Sequence, residues 1–222
     1  MPKQTFFNLP EEKRNLIIHL ATEEFASRPF SKASLSSIVS KAGIAKGSMY
    51  QYFEDKKDLF LYIVGLAVQE KMEYLKPYIT FDQKESDFFT LLEEMLHAGT
   101  RFGLEHPKYG QIVGNVMEPN GEEVLLEIHM QAKQASLDFF SSMIESAKDK
   151  GKLRADVDAD IAAYLLYSIL NSGLAELMFL RAGLSMRDYL SNLENANQLS
   201  EEVITQFIKE VVKFLRYGLQ GG

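Results

Sequence analysis

Residues 33–60 read ASLSSIVSKAGIAKGSMYQYFEDKKDLF, and the spacing of polar and apolar residues in this stretch decides the fold of the N-terminal part. Ser34 precedes Leu35, Ile38, Val39 and Ala42, which share one helix face, and a serine in that place accepts a hydrogen bond from first-turn amides. Gly43 then stands where the chain has to turn, because glycine enters left-handed backbone at little steric cost. Ile44 is expected to plug the space beneath the turn, and a second helix is expected over 45–52. Two short helices joined by a tight glycine turn are the outline of a helix-turn-helix.

In such a unit the second helix enters the major groove and makes contacts from its N-terminal residues. Here these are Ala45, Lys46, Gly47 and Ser48. Lys46 brings positive charge, Ser48 a hydroxyl, and Gly47 the absence of a side chain, which permits close approach of DNA. Met49 and Phe53 are four apart and expected to pack inward, whereas Gly47, Tyr50 and Gln51 share the outer face. Tyr50 and Tyr52 offer hydroxyls to phosphates, and Gln51 offers an amide to a base edge. Lys56 and Lys57 follow within reach of the DNA backbone.

Working outward, Pro10 suits the first position of a preceding helix, with Glu11 and Glu12 at its positive end and Ile17, Ile18, Ala21 and Phe25 as its core stripe. Arg28-Pro29 is expected to end it. Charge divides along the chain. Residues 1–60 hold nine Lys/Arg against seven Asp/Glu, net +2, and the remainder holds fifteen against twenty-four, net −9. A basic head on an acidic body fits a nucleic-acid reader better than a non-specific DNA coat, whose affinity depends on phosphate neutralisation along its whole surface.

The run AGIAKGSMYQYFEDKKDLF resembles the N-terminal signature of the TetR family of bacterial regulators, most closely over residues 10–62. The resemblance implies phosphate contacts from Ser34, Ser48, Tyr50, Tyr52 and Lys56, and groove contacts from Lys46, Gly47 and Gln51. It also implies a double-stranded DNA operator as partner, a small-molecule effector, and a homodimer presenting two recognition helices to major grooves about 34–36 Å apart. Two positions depart from the pattern. Ala45 and Ala33 stand where family members commonly carry hydroxyl side chains, and at Ala45 this removes a side-chain cap from the recognition helix.

The fold expected is all-α, with about nine helices: a three-helix DNA-binding domain over residues 1–55, and a larger effector-binding and dimerisation domain over 56–222. Beyond the motif, helical periodicity and Pro/Gly breaks predict helices over 55–78, 85–105, 108–117, 122–150, 158–181 and 200–219. Residues 184–199 read as a loop, or a loop with a short helix. The helix at 158–181 is apolar almost all round and must be covered on every side. With the strong stripe Val203, Ile204, Phe207, Ile208, Val211, Val212 and Leu215 it makes a pair of helices that are either central core helices of one chain or, as the resemblance implies, the dimer interface.

An apolar effector cavity is expected among Met95, Phe102, Met117, Met130, Phe139, Phe140, Met143, Tyr167 and Phe179, with His97, Asn171 and Glu176 as polar candidates. Each of these residues is also a natural core residue, and the apolar bias points to a hydrophobic or amphipathic ligand. An enzyme is disfavoured: His19, His97, His106 and His129 show no HExxH spacing, and no GxSxG or phosphate-loop motif occurs. The chain has no cysteine, so disulfides and thiolate metal sites are ruled out, and neither cofactor nor metal is expected. No apolar run approaches the roughly 20 uninterrupted residues of a membrane span, and the chain is expected to be cytoplasmic.

Overall fold

The computed structural model describes residues 1–79, 87–117, 123–170, 174–183 and 200–219, and all regular structure among them is helical. The elements are α1 (Gln4–Phe7), α2 (Glu11–Ser27), a 3-10 turn (Phe30–Lys32), α3 (Leu35–Lys41), α4 (Lys46–Tyr52), α5 (Lys56–Ile79), α6 (Phe88–Glu105), α7 (Pro107–Met117), α8 (Glu123–Asp149), α9 (Ala159–Ser168), α10 (Leu174–Arg181) and α11 (Glu201–Leu219). Among the described residues there are eleven α-helices, where about nine were expected in all. Helix α1 is additional, and the stretch expected as one helix over 158–181 is described as α9 and α10. Residues 184–199, expected as a loop, lie outside the described residues.

Residues 1–72 and 106–129 form one compact unit, and residues 73–105 and 130–222 another. Helices α5 and α8 each pass from one to the other. Packing is continuous across residue 55 within the first unit. The physical reason is that Leu59, Phe60, Ile63 and Val64 of α5 share one core with Ile17, Phe25, Ile38, Met49 and Phe53.

In the first unit, Glu11 and Glu12 occupy the first turn of α2, and Arg28 leaves it in extended backbone ahead of Pro29. The Ser34 hydroxyl caps α3 by accepting from the Ser37 amide at 3.3 Å. Gly43 adopts φ of 63°. Its amide donates to the Ser40 carbonyl at 3.3 Å and that of Ile44 to Val39 at 3.1 Å. This pair of bonds is a Schellman closure, in which a left-handed residue satisfies the last carbonyls of a helix. Ile44 packs on the core beneath it.

The second unit buries Phe89 and Leu92 of α6, Ile144 of α8, Leu166 of α9, Met178 of α10 and Ile208 of α11 in a common core. Ion pairs Arg101–Glu201 and Arg216–Asp87, both 2.7 Å, tie α6 and its preceding residue to α11. Asp158 caps α9 by accepting from the amides of Asp160 and Ile161 at 3.0 Å. Among the described residues, the outer face of α9 is largely uncovered. Ile161, Tyr164 and Leu165 are 61%, 51% and 55% exposed, and Phe214 and Tyr217 of α11 are exposed as well. Among the described residues, no helix is long and apolar enough to cross a membrane.

Candidate DNA-binding surface

Four groups hold the two short helices of the motif in place. The buried Glu24 carboxylate of α2 accepts from the Ser34 amide at 2.9 Å and from the Ser37 hydroxyl at 3.0 Å, so one acidic side chain anchors the start of α3. Arg28 lies 3.7 Å from it, at the solvent edge. Lys56, at the start of α5, donates its ammonium to the carbonyls of Phe30 (2.7 Å), Ala33 (3.1 Å) and Ser31 (3.3 Å). It also sits 4.5 Å above the Phe30 ring. Asp55 accepts from the Asp58 amide at 2.8 Å and so caps α5 directly after the motif, while Asp58 accepts from the Glu54 amide at 3.1 Å just ahead of the helix. Finally, Met49 and Phe53 are buried in the shared core, so the second short helix is pinned along one side.

This leaves a defined outer face on α4. Lys46, Gly47, Tyr50 and Gln51 are exposed, with Ser48 half-buried beside them. Lys46 makes no ion pair among the described residues. Ala45 takes the N-cap place of α4 with no side-chain bond to the helix, the consequence expected of its missing hydroxyl. A Cβ on Gly47 would meet no atom within 4 Å, and Gly47 does not have positive φ. Nothing inside the protein requires glycine there, although glycine lowers helix stability by up to about 1 kcal/mol relative to alanine.

Two of the residues expected to meet phosphate also have partners inside the protein. An ammonium carries three N–H donors, and Lys56 lies within hydrogen-bond distance of three main-chain carbonyls, so in the free protein it closes the turn between α2 and α3. The Tyr52 ring is buried, 6.2 Å from that of Phe6. Ser34 serves as the α3 cap. Lys57, also basic, pairs with Glu127 at 3.2 Å.

Among the described residues, several of those expected around an effector cavity lie in the core of the second unit. Met143, Phe140, Phe179 and Tyr167 belong to the core of the second unit, with Met95 packed against it. Phe102 is buried with its ring 5.6 Å from Tyr74. Phe139 and Met130 are exposed. Asn171 and the side chains of Met117 and Glu176 lie outside the described residues. A cleft of about 350 Å³ is lined instead by Tyr78, Thr90, Glu93, Glu94, His97, Ala98, Arg101 and Glu201, and only His97 of these was a candidate from the sequence. No group of three or more His, Asp or Glu among the described residues is arranged to hold a metal ion.

Glu24, Lys3, Thr5 and Phe6 organise the motif without any local mark in the sequence. Glu24 is followed by Phe25 on a helix otherwise rich in solvated acids, and nothing local marks it as buried. Lys3 and Thr5 act across 46 to 49 residues.

Residues 17–63 match the family model described as bacterial regulatory proteins, tetR family. The chain is 32% identical to a TetR family transcriptional regulator from Chloroflexus aurantiacus J-10-fl, whose crystal structure superposes with a TM-score of 0.78 over the full length of both chains. It is 30% identical to the HTH-type transcriptional regulator YezE of Bacillus subtilis (strain 168), over 74% of this chain and 84% of that one. It is 25% identical to the HTH-type transcriptional repressor BepR of Brucella suis biovar 1 (strain 1330), over 74% and 80% of the two chains.

Proposed function

The chain belongs to the TetR family of helix-turn-helix transcriptional regulators, whose members bind DNA and form dimers, and from that premise we propose that it is a cytoplasmic repressor released from a palindromic operator by a small apolar or amphipathic effector. The observation that carries the DNA reading is the outer face of α4. Lys46, Gly47, Tyr50 and Gln51 stand exposed on a helix that a Schellman turn and a buried core hold in one place. Lys46 neutralises phosphate, Tyr50 and Ser48 donate hydroxyls to the backbone, Gly47 lets the helix approach, and Gln51 reads a base edge. Ala45 opens the helix toward the groove. Lys56, Tyr52 and Ser34 shape this surface from within.

In this reading residues 1–55 contact DNA, and residues 56–222 bind effector and dimerise. Dimerisation is supported by the uncovered apolar face of α9 and the exposed aromatics of α11, since contiguous apolar surface of this kind is stabilised by burial against a partner. The repressor reading is supported by likeness to BepR, itself a repressor. The effector reading is supported by the methionine- and phenylalanine-rich interior of the body. Helix α5 carries the signal, because it starts at the cap beside the motif and ends in the body.

The test is selection from a random-sequence duplex library with the purified protein. Recovery of an inverted repeat with half-site centres one helical turn, about 34–36 Å, or a multiple of it apart is the expected outcome. A library that yields no enriched sequence, or an enriched sequence without two-fold symmetry, overturns the proposal.

A further inference from the structure

The C-terminal end of α4 poses an accounting problem that the motif alone does not solve. A helix leaves its last four carbonyls without helical partners, and a seven-residue helix has little stability of its own to keep them in register. No glycine follows α4. Its C-cap, Phe53, is in extended backbone, so the closure used after α3 is absent. Phe53 supplies one bond, from its amide to the Met49 carbonyl at 2.8 Å. The carbonyls of Tyr50, Gln51 and Tyr52 remain.

All three are taken by the N-terminal arm. The Lys3 ammonium donates to the Tyr50 carbonyl at 2.9 Å. The Thr5 hydroxyl donates to the Gln51 carbonyl. The Lys3 amide donates to the Tyr52 carbonyl at 2.8 Å. The arm is itself locked by Phe6, which is fully buried with its ring 4.8 Å from Phe53 and 5.6 Å from Tyr62. The Lys3 charge also sits at the negative end of the α4 dipole.

We propose that residues 3–6 are a positioning element for DNA reading: Lys3 and Thr5 cap the recognition helix in place of a local C-cap, and Phe6 holds them there. This rests on the assignment of α4 as the recognition helix. The two carbonyls bonded by the Lys3 and Thr5 side chains belong to Tyr50 and Gln51, the exposed residues at the far end of the reading face. Without the arm, the last turn of α4 frays and these two side chains lose their fixed aim, whereas Lys46 at the other end keeps its place. Discrimination between DNA sequences falls, and general attraction to phosphate does not.

The test uses the full chain and two variants. Thr5→Val removes one donor and changes no charge. Lys3→Pro with Thr5→Val removes all three donors, and Lys3 has φ of −75°, which proline accommodates. Hydrogen exchange of the Tyr50–Phe53 amides is expected to accelerate about ten-fold in the double variant, while the Ile63 and Val64 amides of α5 keep their rates. Thr5→Val is expected to weaken binding several-fold to a duplex selected by the wild-type protein, with unchanged binding to a random-sequence duplex.

Unchanged exchange at Tyr50–Phe53 overturns the proposal, as does an equal acceleration at Ile63 and Val64, or an equal loss on both duplexes. If the wild-type protein selects no duplex, the regulator reading fails. The exchange measurement still decides whether the arm caps α4.

Discussion

The Glu24 carboxylate accepts the main-chain amide of Ser34 at 2.9 Å from a position in which only 3% of the residue is exposed. With its second oxygen on the Ser37 hydroxyl at 3.0 Å, this acid joins the middle of the unit to the first turn of α3. Removing it leaves two part-buried donors without this partner. Glu24→Ala is expected to lower the unfolding free energy by about 2 kcal/mol, since each orphaned part-buried donor costs about 1 kcal/mol, the low end of the range for buried ones. Urea denaturation checks this, and a loss under about 1 kcal/mol would show that solvent reaches both donors.

Lys56 and Lys46 separate two uses of a lysine. Lys56→Met is expected to cost about 2 kcal/mol of stability, because three carbonyls lose a charged donor, and to leave the salt dependence of DNA binding as it was. Lys46→Met is expected to leave stability unchanged and to lower the slope of log affinity against log salt by about one. Thermal melts and titrations at several salt concentrations distinguish the two. A reduced slope in Lys56→Met would return that residue to the phosphate contacts.

Gly47→Ala adds a methyl group where the protein has open space. Stability is expected to stay the same or rise by up to about 1 kcal/mol. Binding to a selected duplex is expected to fall at least ten-fold, about 1.4 kcal/mol, as the methyl group meets the DNA. Equal affinity in a gel-shift titration would mean that the helix does not approach as closely as proposed.

Asp58 links the motif to acid stability. Burial pushes its pKa up, but the Met1 amino group and the Glu54 amide outweigh this and hold it below the usual aspartate value. A depressed native pKa means that the stabilisation is complete above the unfolded value of about 3.9 and is lost as pH falls through the native one. Asp58→Asn is therefore expected to be less stable than the wild type at neutral pH, with the gap closing below about pH 4. Denaturation midpoints across pH 2–7 test this, and a gap constant over that range would exclude a charge effect.

Leu165→Glu together with Ile161→Glu places two charges on the uncovered face of α9, where both residues are exposed in the single chain. The variant is expected to fold with the wild-type helix content and to sediment as a monomer. A dimer that survives both substitutions would move the interface away from α9.

Much of this molecule was legible before its structure. The 3.6-residue periodicity gave the helices of the body, and Ser34, Gly43 and Ile44 marked the cap, turn and plug of the motif because each acts on neighbours within about five residues. The exposure of Gly47, Tyr50 and Gln51 followed from the inward pair Met49 and Phe53. The roles of Lys56 and Tyr52 were not legible. A lysine beside a motif looks the same whether its ammonium meets a phosphate or three carbonyls brought round by a 3-10 turn, and a tyrosine looks the same whether an aromatic neighbour arrives from residue 6 or not.

The sequence by itself determined the local events: which stretches are helical, where they are capped, which face of α4 is polar, and which family the chain resembles. These depend on hydrogen bonds and contacts between residues close along the chain. The tertiary structure decided the partners that come from far away. Glu24 reaches the start of α3, Lys56 closes the turn ahead of it, and Lys3 and Thr5 complete the last turn of the recognition helix. Such long-range bonds satisfy main-chain groups that every residue carries alike, so the need for them is written in no particular side chain and becomes visible only once the chain has folded back on itself.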